Sequence, residues 1–196
     1  MAIKAKFTMD GVRKRCDAFL AEIEKRQIEM LQNLGEKCVT HAQNVPTAQG
    51  FHDQTGNLRS SIGYMVFKDG VAVHTGYEAV SVPSGTIKVR RTTKRKLKDG
   101  TVKTYSYMAN VKVGGSGTEG AQAGQNLANQ VGQNTKGLAL VVTAGMNYAA
   151  YVEAKGRDVL ASAEILAQRE LPRMLDKLAR NINAASNGKI TARVER

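Results

Sequence analysis

The residues able to do chemistry in this chain are few, and most stand apart. Ser60 and Ser61 could supply a nucleophile, but no His and Asp are placed to suggest a triad, although a fold could still assemble one. Gly114-Gly115-Ser116-Gly117 has the glycine density of a phosphate cradle and lacks the Gly-Lys-Ser/Thr that completes one. His41, His52 and His74 share no metal-ligand spacing. Glu153 lies inside a compact motif, Asn147–Glu153. There a side chain that binds backbone amides or an arginine is a better expectation than general acid–base catalysis. With no catalytic, metal or cofactor constellation in view, the chain reads as a non-enzyme that carries no cofactor.

One group is conspicuous by charge. Lys88, Arg90, Arg91, Lys94, Arg95, Lys96, Lys98 and Lys103 face only Asp99, a net +7 within the 18 residues 86–103. Such a run can neutralise DNA phosphates without reading sequence. It can dock on an acidic protein face. It can also be a solvated strand edge whose lysines discourage aggregation. Tyr105 and Tyr107 could stack on bases, though alternating tyrosines more often serve sheet-surface packing.

Periodicity indicates what holds these residues. Val12, Cys16, Phe19, Leu20, Ile23, Gln27, Met30, Leu31, Leu34, Cys38, Ala42 and Val45 recur at three- and four-residue steps. They predict an amphipathic helix over 10–44, about 50 Å long, capped by Asp10 and stopped by Pro46. A small domain cannot cover that length from one side, so part of the stripe either packs on another subunit or lies across its own sheet. After a polar loop over 47–54, alternation predicts a strand over 59–68, with Ile62, Tyr64 and Val66 on one face and Ser61, Gly63 and Met65 on the other. Asp69-Gly70 is a hairpin signal, and Val71, Val73 and Thr75 resume the alternation. Residues 86–113 read as an extended basic hairpin around Asp99-Gly100, with Tyr105, Tyr107, Val111 and Val113 on one face. Residues 114–136 hold six glycines, four glutamines and three asparagines. That composition predicts a mobile loop with at most a short helical turn near 121–131. An apolar strand over 137–145 rejoins the sheet, and a helix follows from about Asp158. Pro172 either kinks that helix or opens a new one, Asn187-Gly188 ends it, and a short basic tail closes the chain.

The fold class expected is α+β: a small antiparallel sheet with a long N-terminal helix and a C-terminal helix packed on it. A basic hairpin arm and flexible loop, residues 77–136, are inserted in this single domain of residues 1–196. At 196 residues, 42% hydrophobic and 5% aromatic, the chain has enough apolar material for one modest core. Its net charge of +12 favours acidic partners. No run of 18 apolar residues occurs, so no membrane span is expected. Residues 1–10 lack the apolar core of a secretory signal. Cys16 and Cys38 fall on one predicted helix about 33 Å apart, too far for a disulfide, and read as buried small hydrophobes made in a reducing cytoplasm.

Two motifs carry a family resemblance. Asp53-Gln54-Thr55-Gly56-Asn57-Leu58-Arg59-Ser60-Ser61-Ile62 resembles the D-T-G-x-L-R-x-S-I stretch of the bacteriophage HK97 gene-product-10-like family of tail-completion and head–tail joining proteins. Asn147-Tyr148-Ala149-Ala150-Tyr151-Val152-Glu153 is similar to that family's Y-A-x-x-V-E-x-G, with the glycine, Gly156, one place later than usual. The resemblance covers residues 10–76 and 137–184, and the 77–136 segment is longer than the typical member's loop. It implies structural roles for Asp53, Thr55, Gly56, Leu58, Arg59, Ser61, Ile62, Tyr148, Ala149, Val152, Glu153 and Gly156. It further implies a virion protein, assembled in the bacterial host cytoplasm and sited at the head–tail junction or the top of the tail. Its partners would be copies of itself in a ring, six-fold by expectation, together with neighbouring connector, portal-side or tail-tube proteins. DNA would pass through the opening and touch it at most non-specifically, since tight contacts would slow ejection. The alternative is a sequence-independent nucleic-acid-binding protein that uses residues 86–103.

Overall fold

A computed structural model describes residues 8–46 and 49–185. The first helix, α1, spans Met9–Gln43 and is capped by Thr8, whose hydroxyl accepts from the Gly11 N–H, rather than by Asp10. Its buried residues all lie from Met30 onward: Met30, Leu31, Leu34, Gly35, Cys38 and Ala42. The earlier stripe is at most half-buried, at Phe19, Ile23 and Gln27. Val12 and Leu20 are exposed, and so is Cys16, which corrects the expectation that both cysteines are buried.

A short helix α2, Asn57–Ser61, precedes strand β1, Ile62–Lys68. The alternating pattern was therefore extended too far back, because residues 59–61 form a helical turn. β1 is the centre of a three-stranded antiparallel sheet, flanked by β2, Val71–Gly76, and β5, Leu138–Ala144. Its register on β5 places Tyr64 opposite Val142 and Val66 opposite Leu140. Ile62, Tyr64 and Val66 pack against α1 residues including Met30, Leu31 and Leu34. Met65 and Phe67 pack the other way, with Ala128. Burial on both faces leaves β1 without the polar alternation of a half-exposed strand.

The second face is covered by α3, Thr118–Gly132, a 15-residue helix where the sequence suggests a mobile loop. Its buried residues Gly120, Gly124, Ala128 and Gly132 recur every four positions and form one smooth side. A Cβ on Gly120 would run into the Asn57 carbonyl, and one on Gly132 into the Phe67 ring. Here the glycines provide close approach to α2 and to the sheet, which offsets their cost in helix propensity of about 1 kcal/mol each.

The long hairpin, β3 Val82–Lys96 and β4 Val102–Gly115, forms a separate two-stranded sheet, longer at both ends than residues 86–113. A six-residue helix α4, Ala149–Ala154, leads to α5, Ala161–Ala185, which packs beside α1. Pro172 lies inside α5 and neither ends it nor starts a new helix. The architecture is thus α+β, with a sheet between α1 and α5 on one side and α3 on the other. Asn187-Gly188, the basic tail and residues 1–7 lie outside the described residues.

Candidate functional site

The first motif is a clip. Asp53 Oδ1 accepts from the Gly56 N–H at 2.9 Å and Oδ2 from the Arg59 N–H at 2.8 Å, so one carboxylate serves two amides of the α2 turn. Thr55 Oγ1 accepts from the Asn57 N–H. Ser61 Oγ donates to the Leu58 carbonyl, and the Ser60 hydroxyl accepts from the Val80 N–H at 2.8 Å. Both serines are fully buried, and their partners are backbone groups, so their hydroxyls are committed to structure. Arg59 enters through its backbone: its carbonyl accepts from Gln43 Nε2 at the end of α1, as does that of Ile62. Leu58 and Ile62 sit in the core.

The second motif is also a joint. Glu153 Oε1 accepts from the amides of Leu160 and Ala161, at 3.3 and 2.8 Å, which caps the first turn of α5. Asp158 Oδ1 adds an acceptor for Ser162. Ala149 is buried beside Leu58, and Val152 packs on the same core. Gly156, at φ 77°, donates its N–H to the Glu153 carbonyl as α4 ends.

The two motifs meet. Asp53, Thr55 and Leu58 line one cavity of about 350 Å³ together with Tyr148 and Val152. Burial, then the nearby Asp53 charge, raises the Tyr148 phenol above its usual value.

The first motif also roots the hairpin. The Gly114 N–H donates to the Gln54 carbonyl at 2.8 Å. A Cβ on Gly115 would strike the Thr55 carbonyl, and one on Gly117 would strike Ser60 Oγ. Gly117 also holds φ 71° as the N-cap of α3. The glycine run that resembles half of a phosphate cradle is thus the seat of the arm on the clip.

Beyond that root the arm stands clear, about 50 Å long at ~3.3 Å per residue. Its nine lysines and arginines against one aspartate carry +8 of the chain's +12. The ladder pairs Arg91 with Tyr107, Thr93 with Tyr105 and Arg95 with Lys103, which puts both tyrosines and these three cations on one face. Ile87, Val89, Val111 and Val113 continue that face toward the root. Lys88, Arg90, Lys94, Lys96 and Lys112 occupy the opposite face. Lys98 lies in the tip turn, where Asp99 accepts from the backbone and hydroxyl of Thr101, bonds that lower its carboxyl pKa. Alternation in the sequence is enough to divide the cations between faces, but only the register identifies their partners.

Sequence reading missed a second surface. An open groove of about 1100 Å³ runs between α1 and α5 over β5. Leu20, Ile23, Leu31, Leu138, Leu140, Leu171 and Leu175 line it, with the carboxylates of Glu24, Asp69 and Glu164 and one lysine, Lys68. The helical stripe of α1, polar only at Gln27, was its signal.

His74 Nε2 lies 3.0 Å from the Tyr64 hydroxyl, a structural pairing. Among the described residues no group of three or more His, Cys, Asp or Glu side chains could hold a metal ion. Among them, too, no helix is long and apolar enough to cross a membrane. No family model, curated protein or solved structure matches the chain.

Proposed function

We propose that the chain is a structural subunit of a bacteriophage virion, a ring-forming protein of the head–tail connector, neck or tail terminus, through which DNA passes. In this role it joins particles and turns over no substrate. The observation that carries the reading is the meeting of the two motifs at one cavity, with a long arm seated on the first. Residues 53–62 and 147–153 are 85 positions apart in sequence, Ile62 to Asn147, yet they form one joint between α1, the sheet and α5. A ring subunit needs such a rigid wedge and an extension that reaches past it, because neighbours in a ring meet through head-to-tail contacts between different surfaces.

A second reading is sequence-independent nucleic-acid binding. It is favoured by the five cations that share the face opposite the tyrosines. Titration of random-sequence duplex DNA across salt concentration separates the two. If those five cations each meet a phosphate, log K falls with log salt at a slope of about −4 to −5. The ring reading expects weak binding at physiological salt and recovery of the protein with virion partners. Tight, steeply salt-dependent binding with no such recovery would favour the second reading.

A further inference from the structure

We propose that the arm of one copy seats its tyrosine-bearing face in the α1–α5 groove of the next copy. Closure of these contacts into a ring rests on the virion-subunit reading; the pairwise contact rests on the two surfaces themselves. Long two-stranded hairpins are marginal in water unless a face is covered. Tyr105 and Tyr107 are about half exposed, at 49% and 52%, in the outer part of the arm. The groove is an open apolar surface on the same molecule, and no arm residue lines it. The arm is rooted by Thr55 and Gly117 at the α2–α3 end of the fold, whereas the groove lies on the α1 face of the sheet. A second copy supplies what the first leaves uncovered, a heterologous contact that propagates.

Charge selects the same pairing. Arg91, Arg95 and Lys103 flank the tyrosines, and Asp69 and Glu164 border the groove beside Glu24, which Lys68 already pairs, so the rim keeps a net negative charge. Phenol rings suit a site with an apolar floor and a polar rim, since they bury a ring and keep a hydroxyl at the edge. Being half exposed, the two rings together would bury only about 150–250 Å² more, well below the size of a stable isolated interface. The single contact is therefore weak, and a closed ring gains strength from its repetition.

The test is a photoreactive benzoylphenylalanine placed at Tyr107 in the full chain, activated at high protein concentration in a mixture of isotopically light and heavy copies. The expected result is crosslinks between copies that map to the groove sides of α1 and α5, around Leu20–Leu34 and Leu160–Leu175. Leu20→Asp should reduce the yield about tenfold. Leu20 is 61% exposed, so its melting curve should not change. Glu164→Lys should reduce the yield as well, through like charge. Crosslinks that are absent, confined within one copy, mapped elsewhere, or indifferent to Leu20→Asp would overturn the proposal. Groove crosslinks in a protein that no virion contains would keep this contact and remove the virion role. Crosslinks elsewhere in a particle-borne protein would do the reverse.

Discussion

Asp53 shows how a single side chain can hold a motif together. Its two oxygens serve two separate amides of the α2 turn, so Asp53→Ala leaves both without their acceptor. The expected cost is about 1–2 kcal/mol in urea unfolding, with Asp53→Asn recovering part of it through one oxygen. Glu153→Ala should cost about 1 kcal/mol by uncapping α5, and Glu153→Gln less. One buried and one half-buried phenol weigh on alkaline stability. Burial pushes Tyr64 up to about 12, aided by the Glu36 carboxylate, and burial pushes Tyr77 up to about 12. The unfolded chain releases these protons near the ordinary tyrosine value of about 10, while the fold holds them. Stability is therefore intact below about pH 10 and declines toward pH 12. Urea midpoints measured across that window should fall, and Tyr77→Phe should make the fall shallower. At this scale the sequence was partly legible. Glu153 was expected to bind amides or an arginine, and it binds amides. The Ser60–Val80 bond and the Gln43 bonds were not legible, because they join segments whose proximity only the fold determines.

Among the elements, α3 is the instructive case. A run rich in Gly, Gln and Asn has little apolar surface to bury, so composition argues for a loop. The four-residue spacing of Gly120, Gly124, Ala128 and Gly132 carries the opposite message: a helix whose smooth side lies close on a sheet. Gly120→Ala tests this directly. On an exposed helix the change would stabilise by about 1 kcal/mol. Here the methyl meets the Asn57 carbonyl, so destabilisation of about 1–3 kcal/mol is expected in urea unfolding. The exposed neighbour Gln122→Ala should stay within about 0.5 kcal/mol of the parent. The long helix was legible from its three- and four-residue steps, β2 from the Asp69-Gly70 turn and the alternation after it, and β5 from its apolar run, although burial follows the helical stripe only from Met30 onward and leaves most of β2 exposed. β1 was legible from Ile62 onward, and the α2 turn ahead of it was hidden because a five-residue helix is too short to show a period. Pro172 was ambiguous because sequence cannot say whether the carbonyl four residues back has another way to be satisfied.

The whole molecule divides its labour between a rigid body and an arm. The body holds the core, both motifs and the groove; the arm holds most of the net charge. Gly85 pairs with Val113 across the ladder, so Gly85 can be joined to Gly114 with residues 86–113 removed. The shortened chain should keep its helical circular dichroism and cooperative melt, because the core lies outside the arm. It should fail to assemble, and a shortened chain that still builds infectious particles would remove the arm from the assembly mechanism. The sequence marked the arm through its charge and its turn, but the groove that we pair with it needed α1, β5 and α5 brought together. The most direct test of the proposed virion role is electron cryo-microscopy of phage particles assembled from a genome that carries this sequence. The account predicts a closed ring of this subunit around the DNA path at the head–tail junction or tail terminus, each arm lying on its neighbour. Particles that lack the protein, or hold it away from the DNA path as isolated copies, would contradict it.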